Sequence, residues 1–267
     1  MQGLQRLNIW NIKKLMLSLL YKLCFMMNQI EQFIKVGKAY VDALSKLDKN
    51  HQEDVAHLLE IFDCVHPDPG YHLGVYIEKP SPNDTPTHRC DQAWFVCYKG
   101  KYSPIIRQPY RSKHGGVYHL GDMCYLRFTF DFFNHLYVEP TVMGAWQAYL
   151  LSIGKTLLPF SGGLYYTKRE LVFCHDQLEK IQIIDWEELK HGELDCIRHP
   201  ELTDLTVDIS PSVSFDGKHV VVSCCHWNDW GGLIRESAKI TFFNGKVYLL
   251  EDFDEQVLFK YNCGIHF

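Results

Sequence analysis

The hydrophobic positions from Ile30 onward repeat with the period of an α-helix. One apolar stripe follows helical spacing and comprises Ile30, Phe33, Ile34, Gly37, Val41 and Leu44. After a polar break, a second stripe runs from Val55 to Phe62, and Asn50 with Glu53 before it resembles a capping box. The pattern therefore predicts a helical hairpin from Asn28 to Cys64.

Beyond the turn-forming segment 66–72, the apolar side chains recur at every second position. Leu73, Val75 and Ile77 alternate with other residues, and residues 92–102 are typical of a further strand. Near the middle of the chain, residues 141–154 favour a helix that has Pro140 in its first turn and closes on Gly154.

The last third of the chain shows the clearest strand pattern. Asp216–Gly217 and Asn244–Gly245 are dipeptides typical of two-residue hairpin turns. Around the second turn, the predicted register places four residues on one buried face: Ile240, Phe242, Val247 and Leu249. The alternation that starts at Val257 and includes Phe259 and Tyr261 predicts another strand with one buried face.

Together these elements predict an α+β fold. An N-terminal helical hairpin packs on a mixed, largely antiparallel sheet, and a β-meander forms the C-terminal part. Residues 27–267 are assigned to a single α+β domain, with a division into two lobes near residues 197–205 as the alternative. Residues 1–26 contain an apolar, leader-like run. It is either a docking helix, a membrane anchor or the product of a start site upstream of the native one.

Composition narrows the classes of partner and the cellular compartment. The chain has 27 Lys and Arg against 32 Asp and Glu, so its net charge is −5, and it lacks a basic run of the kind that binds nucleic acid. Lys22 interrupts the apolar N-terminal run, which makes a membrane partner the weaker expectation. Most of the ten cysteines lie in apolar, strand-like runs, which favours free thiols and a cytoplasmic location.

Two groups of Cys and His residues are candidates for metal binding or nucleophilic catalysis. In the run from Val220, Cys224 and His226 share one face of a strand, whereas Cys225 and Trp227 share the other. A second, looser set would be Cys64, His66, His88 and Cys90. Neither set has the spacing of a known zinc site, and the chain has no phosphate-binding or hydrolase signature. We therefore expect no metal, no cofactor and no catalytic residue.

The loop that follows the Val220 run is the candidate binding site. It contains two large aromatic residues, a polar pair and a nearby arginine: Trp227, Asn228, Asp229, Trp230 and Arg235. Such residues are enriched at interaction hot spots, although tryptophans there could also simply cover the sheet edge. The sequence thus favours a non-enzymatic, protein-binding module. One candidate of this class is an immunity or antitoxin-like neutraliser of a basic toxin or enzyme. The alternative is a hydrolase whose Cys–His or carboxylate site is assembled from distant segments.

Overall fold

The computed structural model describes residues 26–47, 55–78, 92–100, 110–111, 117–118, 133–157, 169–181, 183–184, 196–197, 200–216, 219–229 and 231–261. The helices in these ranges are α1 (26–45), α2 (Ala56–Leu59), α3 (Val142–Leu157), α4 (His175–Leu178) and α5 (Pro200–Thr203). The strands are β1 (Val65–Pro67), β2 (Tyr71–Glu78), β3 (Gln92–Lys99), β4 (Tyr110–Arg111), β5 (Val117–Tyr118), β6 (Leu136–Val138), β7 (Glu170–Val172), β8 (Ile183–Ile184), β9 (Cys196–Ile197), β10 (Ser212–Phe215), β11 (Val220–Asn228), β12 (Gly232–Phe243) and β13 (Lys246–Lys260).

The largest sheet in this part of the chain has five antiparallel strands. Its order is β10–β11–β12–β13, and β7 pairs with β11 further along the edge that β10 occupies. Two-stranded antiparallel pairs form between β1 and β6, β2 and β3, β4 and β5, and β8 and β9. The predicted α+β class and the C-terminal β-meander are confirmed.

The β12–β13 hairpin turns where the sequence predicts. Asn244 and Gly245 both have positive φ, 51° and 71°, as a two-residue turn that follows the strand twist requires. Phe242 pairs with Val247 as expected, but Ile240 pairs with Leu250, so the predicted pairing of Ile240 with Leu249 is wrong.

The physical reason for the shifted register is a bulge at Tyr248. β13 has 15 residues where β12 has 12, and the register shifts three times along the pair. Each shift leaves one residue of β13 unpaired and increases the local twist. The shift beside Leu258 also leaves Val257 56% exposed, so the predicted burial of Val257 is wrong, whereas Phe259 and Tyr261 do pack inward.

The buried face of α1 follows the predicted stripe, rotated slightly. Phe33, Gly37 and Leu44 are buried as expected, but Tyr40 is buried in place of Val41, which is half-buried. The second stripe is buried at Leu58 and Phe62, although α2 itself is a single turn. The Asn50–Glu53 capping box lies outside the described residues.

Helix α3 is the central helix of the core. Thr141 caps it, because its hydroxyl accepts a hydrogen bond from the Gly144 amide at 3.0 Å. The helix continues through Gly154 to Leu157, so the predicted end at Gly154 is wrong. Gly154 instead permits a close approach, since a Cβ there would lie 2.2 Å from Tyr40 Oη and 2.5 Å from the Phe95 ring.

The five-stranded sheet separates two hydrophobic clusters. On one face, Val222, Cys224, Ala238 and Ile240 pack in the main cluster with α1 and α3. The other face carries Cys225, Trp227 and Leu233, and a smaller cluster forms there with Leu178, Ile181, Leu202 and Ile209. Alternate residues of β11 therefore enter different clusters, as the alternation of side chains in a strand dictates.

Candidate functional site

Trp227, the first residue of the predicted binding loop, belongs to the smaller cluster. It is 4% exposed, and its ring lies 5.4 Å from that of Tyr261 and 6.4 Å from that of Phe259. Its indole nitrogen donates a hydrogen bond to Asp229 Oδ1 at 2.8 Å. Trp227 thus packs the sheet and orients Asp229, while Trp230 lies outside the described residues.

The remaining predicted site residues lie at the same end of the sheet. Asn228 and Asp229 are half-buried at the turn between β11 and β12. Arg235 extends from the face that carries Cys225, and its guanidinium donates a hydrogen bond to the backbone oxygen of Asp208. The described part of this loop is therefore held to the fold by contacts of its own side chains.

A buried polar group lies on the opposite face of the sheet. Glu236 Oε2 accepts a hydrogen bond from Arg169 Nη1 and lies 3.6 Å from His226 Nδ1. Burial, together with the smaller effect of the positive charge of Arg169, lowers the pKa of His226 to about 3. We therefore assign an ionised Arg169–Glu236 pair beside a neutral His226; Glu236 and His226 are buried, whereas Arg169 is partly exposed.

Cys224 and His226 share one face of β11, as predicted, but neither is activated for catalysis. The Cys224 thiol donates a weak hydrogen bond to the Cys225 carbonyl oxygen at 3.5 Å, and burial raises its pKa well above its ordinary value. A cysteine nucleophile needs its thiolate and a base that can hold the proton. The neutral thiol and neutral imidazole are typical of core residues.

The second Cys–His set is described only in part, because His88 and Cys90 lie outside the described residues. Cys64 is buried beside Asp63 and Thr141, and burial raises the pKa of its thiol to about 12. His66 is exposed and lies 3.9 Å from Glu139. Among the described residues, no group of three His, Cys, Asp or Glu side chains could hold a metal ion.

Exposed aromatic side chains surround the β12–β13 turn. The sequence predicts the turn itself but does not indicate these side chains as a candidate site. We name Tyr137, Phe243 and Tyr248 the hairpin-tip surface. Phe243 is 65% exposed and Tyr248 is 70% exposed, and their rings lie 6.4 Å apart in an edge-to-face arrangement. Tyr137, on β6, covers the turn so closely that a Cβ on Gly245 would lie 2.0 Å from its ring.

Polar contacts hold this hairpin tip on the neighbouring strands. The Val138 amide donates a hydrogen bond to the Gly245 carbonyl oxygen at 2.7 Å, and Lys246 Nζ lies 2.5 Å from Asp68 Oδ1. His66 stacks beside Tyr137, with a centroid distance of 6.4 Å. The exposed rings are therefore displayed on an anchored backbone.

No family model matches this chain, and neither the curated proteins nor the solved structures that were searched include a match. Among the described helices, none combines the length and the apolar character needed to cross a membrane.

Proposed function

We propose that this chain is a non-enzymatic module that binds another protein through the hairpin-tip surface. The observation that supports this most is the exposure of Phe243 and Tyr248 on adjacent strands of one tight turn. Solvent-exposed aromatic pairs are a typical feature of interaction sites, because a partner that covers them removes a large apolar area from water.

The anchoring of the turn favours binding as well. Association is weakened when loops and side chains must become ordered on binding. Here the Asn244–Gly245 turn is fixed by its geometry and by the hydrogen bond from Val138, and aromatic rings have few rotatable bonds. Little conformational entropy would therefore be lost when a partner covers Phe243 and Tyr248.

The net charge of −5 supports a basic protein as the partner class to test first. Complementary charge speeds the encounter between two proteins and disfavours acidic competitors. An immunity or antitoxin-like neutraliser of a basic toxin or enzyme, acting in the cytoplasm, is the biological role that we propose on this basis. For the alternative of a hydrolase with a Cys–His or carboxylate site, the Cys224–His226 pair gives no support, since both groups are buried and uncharged.

The test is a quantitative pull-down from the native host with the wild-type chain and the double variant Phe243→Ser, Tyr248→Ser. We expect the double variant to lose the captured basic protein and to melt at the wild-type temperature, because both rings are exposed. Removing two interface anchors should weaken binding by about 2 kcal/mol or more.

Two controls locate the binding site. Val257→Ser removes an exposed apolar side chain from the far end of β13 and should leave capture unchanged. Trp230→Ala and Asp229→Ala test the predicted loop, which lies at the opposite end of the sheet from the hairpin tip. Loss of the partner in these loop variants alone would reject the hairpin-tip surface as the site. A wild-type chain that captures no more than an unrelated acidic protein would reject the binding function.

A further inference from the structure

Helix α1 approaches the segment after β7 unusually closely. A Cβ on Gly37 would lie 2.6 Å from Cζ of Phe173, so the approach depends on the absence of a side chain at this position. The next residue of the helix, Lys38, places its Nζ 3.2 Å from Sγ of Cys174. An amine and a thiol that are 136 positions apart in sequence are thereby brought into contact.

The thiol of Cys174 is held in this position by Gln177. The side-chain oxygen of Gln177 accepts a hydrogen bond from the Phe173 amide at 2.9 Å and lies 3.6 Å from Cys174 Sγ. Its side-chain nitrogen donates to the Leu171 carbonyl oxygen at 3.1 Å. These bonds fix the short segment between β7 and α4 and keep the sulfur facing Lys38.

Cys174 differs from the other described cysteines in its surroundings. Burial raises the pKa of the thiol of Cys64 and of Cys97 to about 12, and it raises the pKa of Cys224 and Cys225 as well. Such thiols react slowly with oxidants, because the thiolate is the reactive form. Cys174 is half-buried, and its sulfur contacts a cationic nitrogen on the surface of the protein.

We propose that Cys174 and Lys38 form a peroxide-sensitive modification site that closes to a covalent sulfur–nitrogen crosslink. Hydrogen peroxide oxidises the Cys174 thiol to a sulfenic acid and is itself reduced to water. The Lys38 ammonium releases one proton to solvent, and the lone pair of the resulting amine attacks the sulfur, so that the S–N bond forms and the S–O bond breaks. The hydroxyl leaves with the proton from nitrogen as a second water, and the chain has lost two hydrogen atoms in total.

The geometry favours the crosslink over further oxidation of the sulfur. The amine is already in contact with the sulfur, so its attack is intramolecular and is not limited by diffusion. The product ties α1 to the segment between β7 and α4, two elements that are otherwise joined by packing of Gly37 against Phe173. Oxidation would thereby lock the N-terminal helix onto the sheet, and a thiol reductant would release it.

The experiment treats the full chain with hydrogen peroxide at mildly alkaline pH and analyses intact mass and peptides. The expected product is about 2 Da lighter than the reduced chain, contains a peptide pair joined through Lys38 and Cys174, and reverts with dithiothreitol. Its melting temperature should exceed that of the reduced chain.

Matched variants separate the crosslink from simple thiol oxidation. Lys38→Arg keeps the positive charge but removes the nucleophilic amine, so the crosslink should fall about tenfold or more, and Cys174 should be labelled by a sulfenic-acid probe instead. Lys46→Arg, at an exposed position directly after the same helix, should leave the crosslink yield unchanged. An oxidised Cys174 without a bond to Lys38 overturns the proposal, as does a Cys174 that peroxide leaves unreacted.

Discussion

Acid should destabilise this fold through His226. Burial lowers the pKa of this histidine from its ordinary value of 6.5 to about 3. Below pH 6.5 the unfolded chain therefore takes up a proton at this position, whereas the folded chain does not until near pH 3. The contribution of the neutral His226 to the free energy of unfolding is thus fully present above pH 6.5. It is lost as the pH falls toward 3, by about 1.4 kcal/mol per pH unit. Between pH 7 and pH 5 the loss is about 2 kcal/mol.

The assay compares urea unfolding of the wild-type chain and His226→Gln at pH 7, 6 and 5. Glutamine is polar but does not titrate, and its altered hydrogen bonds should make the variant less stable at pH 7 by about 1–3 kcal/mol. That gap should shrink by about 2 kcal/mol by pH 5, because only the wild-type chain carries the histidine linkage. Asp63 and Asp208, whose carboxyl pKa values are lowered by hydrogen bonds, are present in both proteins and cancel in the difference.

The sign of the result discriminates between two electrostatic arrangements. If Arg169 did not compensate the negative charge of Glu236, that charge would favour a protonated His226 in the folded chain. The difference in free energy of unfolding between wild type and variant would then widen as the pH falls. We expect the opposite, because Arg169 donates to the same Glu236 oxygen and neutralises it. A gap that stays constant from pH 7 to pH 5, or one that widens, refutes the assignment of a neutral, buried His226. His57→Gln, at an exposed position on α2, controls for the loss of a histidine.

Two further substitutions test the core by urea unfolding. Gly154→Ala should reduce the free energy of unfolding by about 1–3 kcal/mol despite the higher helix propensity of alanine, because the new methyl group meets Tyr40 Oη. Tyr40→Phe should relieve part of that loss, and equal losses in both backgrounds would contradict the contact. Arg169→Met should reduce the free energy of unfolding by about 3–5 kcal/mol, since Glu236 is left buried without its cation. Adding Glu236→Gln should recover part of the loss, and no recovery would contradict the ion pair.

The C-terminal meander was the most predictable part of the fold, because its signals are local. A turn such as Asn244–Gly245 needs positive φ at two adjacent residues, and few dipeptides supply it. Alternation along β11 likewise separates Cys224 from Cys225, and the two thiols do enter different clusters. Both features depend on neighbouring residues alone, which the sequence displays directly.

The errors arose where a distant segment decides the outcome. Gly154 resembles a helix end in isolation, but Tyr40 and Phe95 approach it from other elements and require a glycine inside the helix. The burial of Trp227, which the sequence left open between a binding contact and a cover for the sheet edge, likewise depends on distant residues. Phe259 and Tyr261 cover it; Phe259 lies in β13 and Tyr261 directly follows β13, a strand whose bulges no residue pattern had indicated.

Glu236 shows how much of a buried polar site can be predicted from the residue pattern. The alternation that places Ile240 and Ala238 on the inner face of β12 also places Glu236 there, so its burial follows from periodicity. A buried carboxylate requires a cation or hydrogen-bond donors, so the sequence pattern implies that Glu236 has a partner but does not identify the residue. The partner, Arg169, is 67 positions away in sequence and just precedes β7, a strand that pairs with the neighbouring β11. The pairing of β7 with β11 therefore determines which arginine meets Glu236, and an inward-facing charge in a strand pattern indicates that such a long-range contact exists.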